Sequence, residues 1–203
     1  MPGAKATEEE RREQIMNAAY EVALRTGIDA VTLRAVATEA KLSHGLVLFY
    51  FKQKEQLIGA LLDRVLATTA MLHVSEDVAR IANPPERLGA LLRQELGRLF
   101  RDPRGIRLFF EYWALGVRET AVQRRIGAAL ERYRAAFRAI AEEMLPARPS
   151  NGPDVTPDAL AAVAVSLING WAVQAMIDPE HFDTDAYLTA AQNVIEKLAP
   201  ASL

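Results

Sequence analysis

The chain of 203 residues contains no cysteine, which excludes both a disulfide framework and a zinc site built on thiolates. It has only three histidines, and their positions lack the paired spacing of metal ligands. The HExxH, GxSxG, GxGxxG and Walker A motifs are missing, as are the repeated Glu-x-x-His pairs of a di-iron helical bundle. We therefore expect no enzymatic activity and no bound metal or cofactor.

Signals for export and for membrane insertion are also missing. Residues 1–14 are charged and polar, and they lack the apolar stretch of a signal peptide. We find no apolar run that approaches the roughly 20 residues required for a membrane span. These features predict a cytoplasmic protein that does not associate with membranes.

Half of the residues are apolar, and alternating strand patterns are few, which favours an all-α protein. The net charge of −2 argues by itself against a nucleic-acid partner. The distribution of charge matters more than the sum, because acidic residues are missing between Lys41 and Lys54 while lysines are present. A dimer with its basic side chains on one side can still bind DNA.

Residues 32–55 have the pattern of a helix-turn-helix, in which a tight turn joins two short helices. Thr32 is suited to cap the first helix, whose apolar residues at 33, 36, 37 and 40 form one face. The turn falls at Lys41–Leu42, and Ser43 is suited to cap a second helix over residues 44–51. Such a second helix enters the major groove of DNA. Periodicity alone supports a three-helix packing module with a solvated lysine fringe equally well.

The same segment resembles the DNA-binding domain of the TetR family of bacterial transcriptional regulators. The family pattern around the recognition helix is roughly V-S-x-G-x-L-Y-x-H/Y-F-x-S/T-K-E-x-L. Leu48 replaces a tyrosine that usually reaches a phosphate, and Gln53 replaces the usual Ser or Thr. The resemblance covers about the first sixty residues, and the helical layout beyond them is nearer to a BetI-like subgroup. The direct matches are Gly45, Tyr50, Phe51, Lys54, Glu55 and Leu57.

The resemblance implies an all-α protein of about nine helices. An N-terminal three-helix helix-turn-helix domain, residues 1–53, would precede a helical ligand-binding and dimerisation domain, residues 54–203. Caps and helix breakers predict a connecting helix over residues 54–74 and an exposed loop over residues 146–157. Further helices are predicted to begin after caps at Thr7, Asn83, Asp102, Thr156 and Asp183.

The turn and the recognition helix are predicted to contact a palindromic operator in double-stranded DNA. Tyr50 offers a hydroxyl at the level of the phosphates, and the Gly45 amide can approach the DNA backbone. His44 and Leu46 are expected to project furthest, towards base edges and thymine methyl groups. The predicted DNA-binding residues are Thr32, Arg34, Lys41, Ser43, His44, Gly45, Leu46, Tyr50 and Lys54.

The stretch Ala159–Ile177 is apolar on nearly all sides, so it must be buried all round. Dimers of the TetR family pair their last two helices in a four-helix bundle. The resemblance therefore implies a homodimer formed through Thr156–Ile177 and Asp183–Leu198. A central core helix in a monomer is the alternative reading.

Large side chains from three separate helices predict a mostly apolar cavity for a small lipophilic or aromatic effector. An ordinary aromatic core is the alternative for any one of these residues. We expect a ligand-responsive dimeric repressor that the effector releases from DNA. The alternatives are a helical small-molecule-binding protein without DNA binding and a constitutive DNA-binding dimer without an effector. The predicted effector-binding residues are Phe109, Trp113, Tyr133, Phe137, Asn169, Trp171 and Gln174.

Overall fold

The computed structural model describes residues 6–69, 73–145 and 155–198. These residues form ten α-helices and one 3-10 turn, Ile28–Ala30, with no strand among them. The all-α prediction is therefore confirmed. The helices are α1 Glu8–Thr26, α2 Leu33–Ala40, α3 His44–Tyr50, α4 Lys54–Thr69, α5 Glu76–Ala79, α6 Pro84–Phe100, α7 Pro103–Gly116, α8 Thr120–Met144, α9 Pro157–Ile177 and α10 Thr184–Leu198.

Polar side chains set the starts of most helices. Thr7 begins α1 with a capping box, in which Glu10 accepts a hydrogen bond from the Thr7 amide in return. At Thr32, Asn83 and Thr156, the side-chain oxygen accepts a hydrogen bond from the amide three residues later. Each cap satisfies a backbone amide that has no partner within its helix. These predicted caps are confirmed.

The connecting helix is shorter than the sequence suggests. Helix α4 ends at Thr69, and residues 73–75 are not helical; residues 70–72 lie outside the described residues. Ser75 has extended backbone angles and caps the short helix α5, which the sequence did not reveal. A helix cannot continue through such a cap, so the prediction of a helix to residue 74 was wrong. Most of the predicted loop over residues 146–157 also lies outside the described residues.

The described chain divides into two compact units. The first comprises residues 1–69 and 104–126, and the second comprises residues 70–103 and 127–203. In the first unit, α1 packs against α2 and α4, while α2 packs against α3. Its core includes Ile15, Val36, Val47, Leu57 and Leu61, none of which is exposed. The apolar face predicted for α2 is thus confirmed as part of a folded three-helix core.

Helix α7 is hydrogen-bonded to α4 and to the 3-10 turn after α1, all within the first unit. The Tyr112 hydroxyl donates to the Ile58 carbonyl over 2.9 Å. The Ile28 amide donates to the Glu111 carboxylate, also over 2.9 Å, directly after Gly27. Gly27 has φ 84°, and a Cβ added there would lie 3.2 Å from the Glu111 Oε2. Glycine therefore relieves both backbone strain and crowding where α1 ends against α7.

The second unit is built around α6, which packs against α5, α9 and α10. Its core includes Leu88, Leu91, Phe137 and Trp171, each at most 2% exposed. Gly89 brings α6 close to α10, since a Cβ on it would lie 3.3 Å from the Gln192 amide nitrogen. The second unit therefore has a helical core of its own.

Helix α9 is long and apolar enough to cross a membrane, and no other helix in the described ranges is. The expectation that no run approaches such a length was wrong, because four scattered polar residues are too few to interrupt 21 helical residues. One face of α9 is buried within the second unit, through Leu160, Ala164, Ile168 and Trp171. The core helix of a folded domain has the same length and composition, so α9 is weak evidence for a membrane protein.

Candidate DNA-binding and effector sites

A left-handed turn joins the two helices of the helix-turn-helix. Lys41 has φ 55° and ψ 41°, and it is the one non-glycine residue with positive φ among the described residues. The Leu42 amide donates to the Ala37 carbonyl over 2.9 Å, which ties the turn to the end of α2. This C-terminal cap reverses the chain so that α3 begins immediately afterwards at Ser43. The Lys41 side chain is left exposed beside α3.

Helix α3 presents a continuous outward face. His44, Gly45, Leu48 and Phe49 are exposed, whereas Val47 is completely buried. Successive residues are about 100° apart around a helix, so positions 44, 45, 48 and 49 fall within one arc. Leu46 lies outside this arc and is half-buried. The expectation that Leu46 projects furthest together with His44 was therefore wrong.

The other predicted DNA-binding residues belong to the same unit. Thr32, Arg34, Ser43 and Lys54 are exposed, and Tyr50 is half-buried. The hydroxyls of Thr32 and Ser43 accept capping hydrogen bonds of 3.1 and 3.2 Å, so their protons are still available for a phosphate oxygen. The Lys54 ammonium donates to the Asp29 carbonyl over 3.1 Å.

An ion pair compensates the acidic residue near the end of α2. The Glu39 carboxylate lies 2.6 Å from the Arg25 guanidinium, and hydrogen bonding to Glu39 raises the pKa of Arg25. The Glu39 charge is therefore balanced within the protein. Arg34, Lys41 and Lys54 place basic side chains at the exposed surface, as an approach to phosphates requires.

The seven predicted effector-binding residues divide between the two units. Phe109 and Trp113 belong to the first unit, and their rings meet edge to face with centroids 5.4 Å apart. Phe109 is buried and Trp113 is half-buried. The other five belong to the second unit. Among these, Tyr133, Phe137 and Trp171 are buried, Asn169 is half-buried and Gln174 is exposed.

A buried carboxylate in the second unit was missed by the sequence analysis. Glu95 has no exposed surface, and it is the one buried charged residue among the described residues. It accepts a hydrogen bond of 2.9 Å from the Tyr133 hydroxyl and one of 2.7 Å from the Arg98 guanidinium. Burial, followed by the Glu95 charge, raises the pKa of Tyr133 well above its ordinary value. Tyr133 therefore stays neutral and serves as a donor.

Apolar side chains are exposed along one side of α9. Val163, Val173 and Ile177 are 42%, 40% and 75% exposed, with the half-buried Leu167 and Gly170 between them. These positions recur every three or four residues, which places them on one stripe of the helix. We call these five residues the α9 stripe. Val194 on α10 is also 51% exposed.

Comparison with known proteins identifies relatives over nearly the whole chain. The family model for bacterial regulatory proteins of the tetR family matches residues 15–61. The model described as BetI-type transcriptional repressor, C-terminal, matches residues 84–200. An HTH-type transcriptional regulator in the dhlA 5'region of Xanthobacter autotrophicus is 32% identical, over 93% of this chain and 90% of its own length.

Two solved structures share the fold at lower identity. A transcriptional regulator from Saccharomonospora viridis in complex with choline is 21% identical, with a TM-score of 0.72 over 93% of this chain and 97% of its own. The multidrug binding protein EbrR complexed with ethidium is 24% identical, with a TM-score of 0.69 over 95% of this chain and 99% of its own. Both similarities extend over the helix-turn-helix and the helices that follow it.

Proposed function

Since this chain belongs to the TetR family of bacterial transcriptional regulators and carries a BetI-type C-terminal domain, we propose that it is a homodimeric repressor released from its operator by a small molecule. The observation that carries the proposal is the outward face of α3, which lies within the matched segment and directly follows the left-handed turn. The first test is to select DNA from a random-sequence pool with the full chain. A palindromic consensus is expected, and recovery of no preferred sequence would contradict the proposal.

The proposed operator contacts follow the exposed residues of the helix-turn-helix. We assign His44 and the Gly45 amide to the groove, with Ser43 and Tyr50 at its edges. We assign the half-buried Leu46 to the packing of α3 and to contact with DNA at the edge of the groove. Phosphates are the proposed partners of the positive groups Arg34, Lys41 and Lys54 and of the Thr32 hydroxyl.

Lys54→Ala tests the phosphate contacts directly. Loss of one cation at a phosphate weakens binding to all sequences and reduces the slope of log K against log salt by about one unit per half-site. The measurement is fluorescence anisotropy on the selected operator at several salt concentrations. Arg101→Ala is the matched control, because Arg101 is an exposed cation at the end of α6, outside both the helix-turn-helix and the segments proposed for the dimer. An unchanged slope in Lys54→Ala would remove this residue from the operator contacts.

The proposed dimer forms through α9 and α10, over the predicted segments Thr156–Ile177 and Asp183–Leu198. The α9 stripe supports this assignment, because it leaves an apolar surface uncovered in a single chain. A palindromic operator supplies an independent reason, since two recognition helices must lie about 34 Å apart to enter successive major grooves.

The proposed effector is a small lipophilic or aromatic molecule, bound by residues among the predicted set. The choline and ethidium complexes of the two structural neighbours support a small-molecule site in this domain and make both compounds suitable first probes. Binding would shift the population between a dimer that fits the operator and one that does not. We propose that α4 and α7 transmit this shift, since the Tyr112 hydroxyl fastens α7 to Ile58 of α4.

A thermal-shift experiment with choline, ethidium and neutral aromatic compounds tests the effector site. A stabilising compound should also release the protein from its operator in a gel shift. Trp171→Phe should weaken this release, because a smaller ring changes the proposed contact with the effector, while an aromatic side chain still fills the core and keeps operator affinity without ligand near wild type. If no compound stabilises the protein, the reading as a DNA-binding dimer without an effector gains support.

A further inference from the structure

The outward face of α3 carries two large apolar side chains that the proposed phosphate contacts do not use. Leu48 is 42% exposed, and Phe49 is 73% exposed. They lie one turn beyond His44 and Gly45, because residues four apart on a helix share a face. Scattered apolar residues are normal on a protein surface, but two neighbours on the exposed face of a seven-residue helix form a patch. Such a patch indicates a surface that a partner completes.

We propose that Leu48 and Phe49 read the C5-methyl groups of thymines in the operator. This inference rests on the proposed DNA binding. The major groove displays a methyl group at each A·T pair, and apolar side chains recognise it by contact. Neither residue has a hydrogen-bonding group, so at these two positions of the helix the readout is confined to apolar contact. The tyrosine that usually stands at position 48 in this family would offer a hydroxyl, which Leu48 lacks.

Gly45 supports a close approach of α3 to the bases. A Cβ added at Gly45 would meet no atom within 4 Å, so packing inside the protein does not require glycine there. A glycine in the middle of an exposed helical face lowers the surface between His44 and Phe49. Contact with a methyl group requires heavy atoms within roughly 4 Å, which a flatter face favours.

The ring of Phe49 is also held in place before DNA arrives. It meets the Tyr50 ring edge to face, with centroids 5.4 Å apart and an angle of 85° between the ring planes. Tyr50 is itself half-buried against the helix-turn-helix core. A side chain that already has a preferred orientation loses less conformational freedom when it binds. The pair therefore presents a preformed apolar edge at the C-terminal end of α3.

Replacement of thymine by 2′-deoxyuridine tests the proposal, because it removes the methyl group and keeps the base pair. The probe is a duplex selected from a random pool by the full chain, with its thymines replaced one at a time. We expect at least one thymine in each half-site at which wild-type affinity falls about fourfold, the value for one buried methyl group. Phe49→Ala or Leu48→Ala should bind the original duplex more weakly and should lose this sensitivity to deoxyuridine.

Phe100→Ala is the matched control, because Phe100 is 71% exposed and belongs to α6, outside the helix-turn-helix segment. It should keep both the affinity and the full sensitivity to deoxyuridine. Two results would overturn the inference: equal wild-type affinity for all thymine and deoxyuridine duplexes, or a sensitivity that survives in both alanine variants. Failure to select any DNA would instead contradict the proposed function itself, so the two failures are distinguishable.

Discussion

Val173→Glu is expected to convert the proposed dimer into a folded monomer. Val173 lies on the α9 stripe and is 40% exposed in the single chain, so a carboxylate is tolerated until a partner covers it. A two-fold axis places the substitution on both sides of the interface, and burial of unpaired charges costs several kcal/mol. Weakening by about 4 kcal/mol raises the dissociation constant roughly a thousandfold. Sedimentation velocity at micromolar concentration measures the change.

The monomer should also lose operator affinity by at least about a hundredfold. In a dimer the two recognition helices are linked and bind both half-sites together, whereas each monomer must bind its half-site separately. Val117→Glu is the matched control: Val117 is 77% exposed but lies beyond the end of α7. It should remain dimeric and bind normally. Val165→Glu should unfold the chain instead, since Val165 is only 4% exposed and faces its own unit. A dimeric Val173→Glu with normal operator affinity would place the interface elsewhere.

The helix-turn-helix was predictable because its signals are local. Thr32 and Ser43 cap their helices through amides three residues away, and the apolar face of α2 needs only helical periodicity. The orientation of α3 was not predictable in the same way. Residues 46–51 are almost uniformly apolar, so the sequence offers no contrast between a buried and an exposed face. Only the packed core shows that Val47 turns inward and Phe49 outward.

The polar network around Glu95 could not be predicted from local sequence signals, because Tyr133 is distant from Glu95 in the chain. Leu88, Leu92, Glu95 and Leu99 recur at spacings of three or four along α6, so periodicity alone would place Glu95 on the buried stripe. Residue type argues for exposure, because an unpaired carboxylate is seldom buried. The partner that reconciles the two is Tyr133, 38 residues further along the chain. Such a pairing depends on tertiary structure, and the charged residue on an apolar stripe is the one sequence signal that suggests it.

Glu95→Ala is expected to lower the free energy of unfolding by roughly 1 to 3 kcal/mol, the cost of leaving the buried Tyr133 hydroxyl without an acceptor. Urea denaturation followed by circular dichroism measures the change. Glu76→Ala is the matched control, because Glu76 also pairs with an arginine of its own region, Arg80, at 2.6 Å, but is 85% exposed. Exposed pairs of this kind contribute less than about 1 kcal/mol. Equal effects of the two substitutions would contradict a special role for burial.

The two partners of Glu95 should contribute unequally to this loss. The Arg98 side chain is 25% exposed, so its guanidinium can turn towards water when the carboxylate is removed. The Tyr133 hydroxyl lies in a residue only 5% exposed and cannot be hydrated in the same way. Removal of this hydroxyl by Tyr133→Phe should therefore restore about 1 to 2 kcal/mol in the Glu95→Ala background, the cost of leaving a buried donor without an acceptor. In the wild-type background, the same substitution should destabilise the chain. A double-mutant cycle with additive effects would show that the hydroxyl and the carboxylate are not coupled.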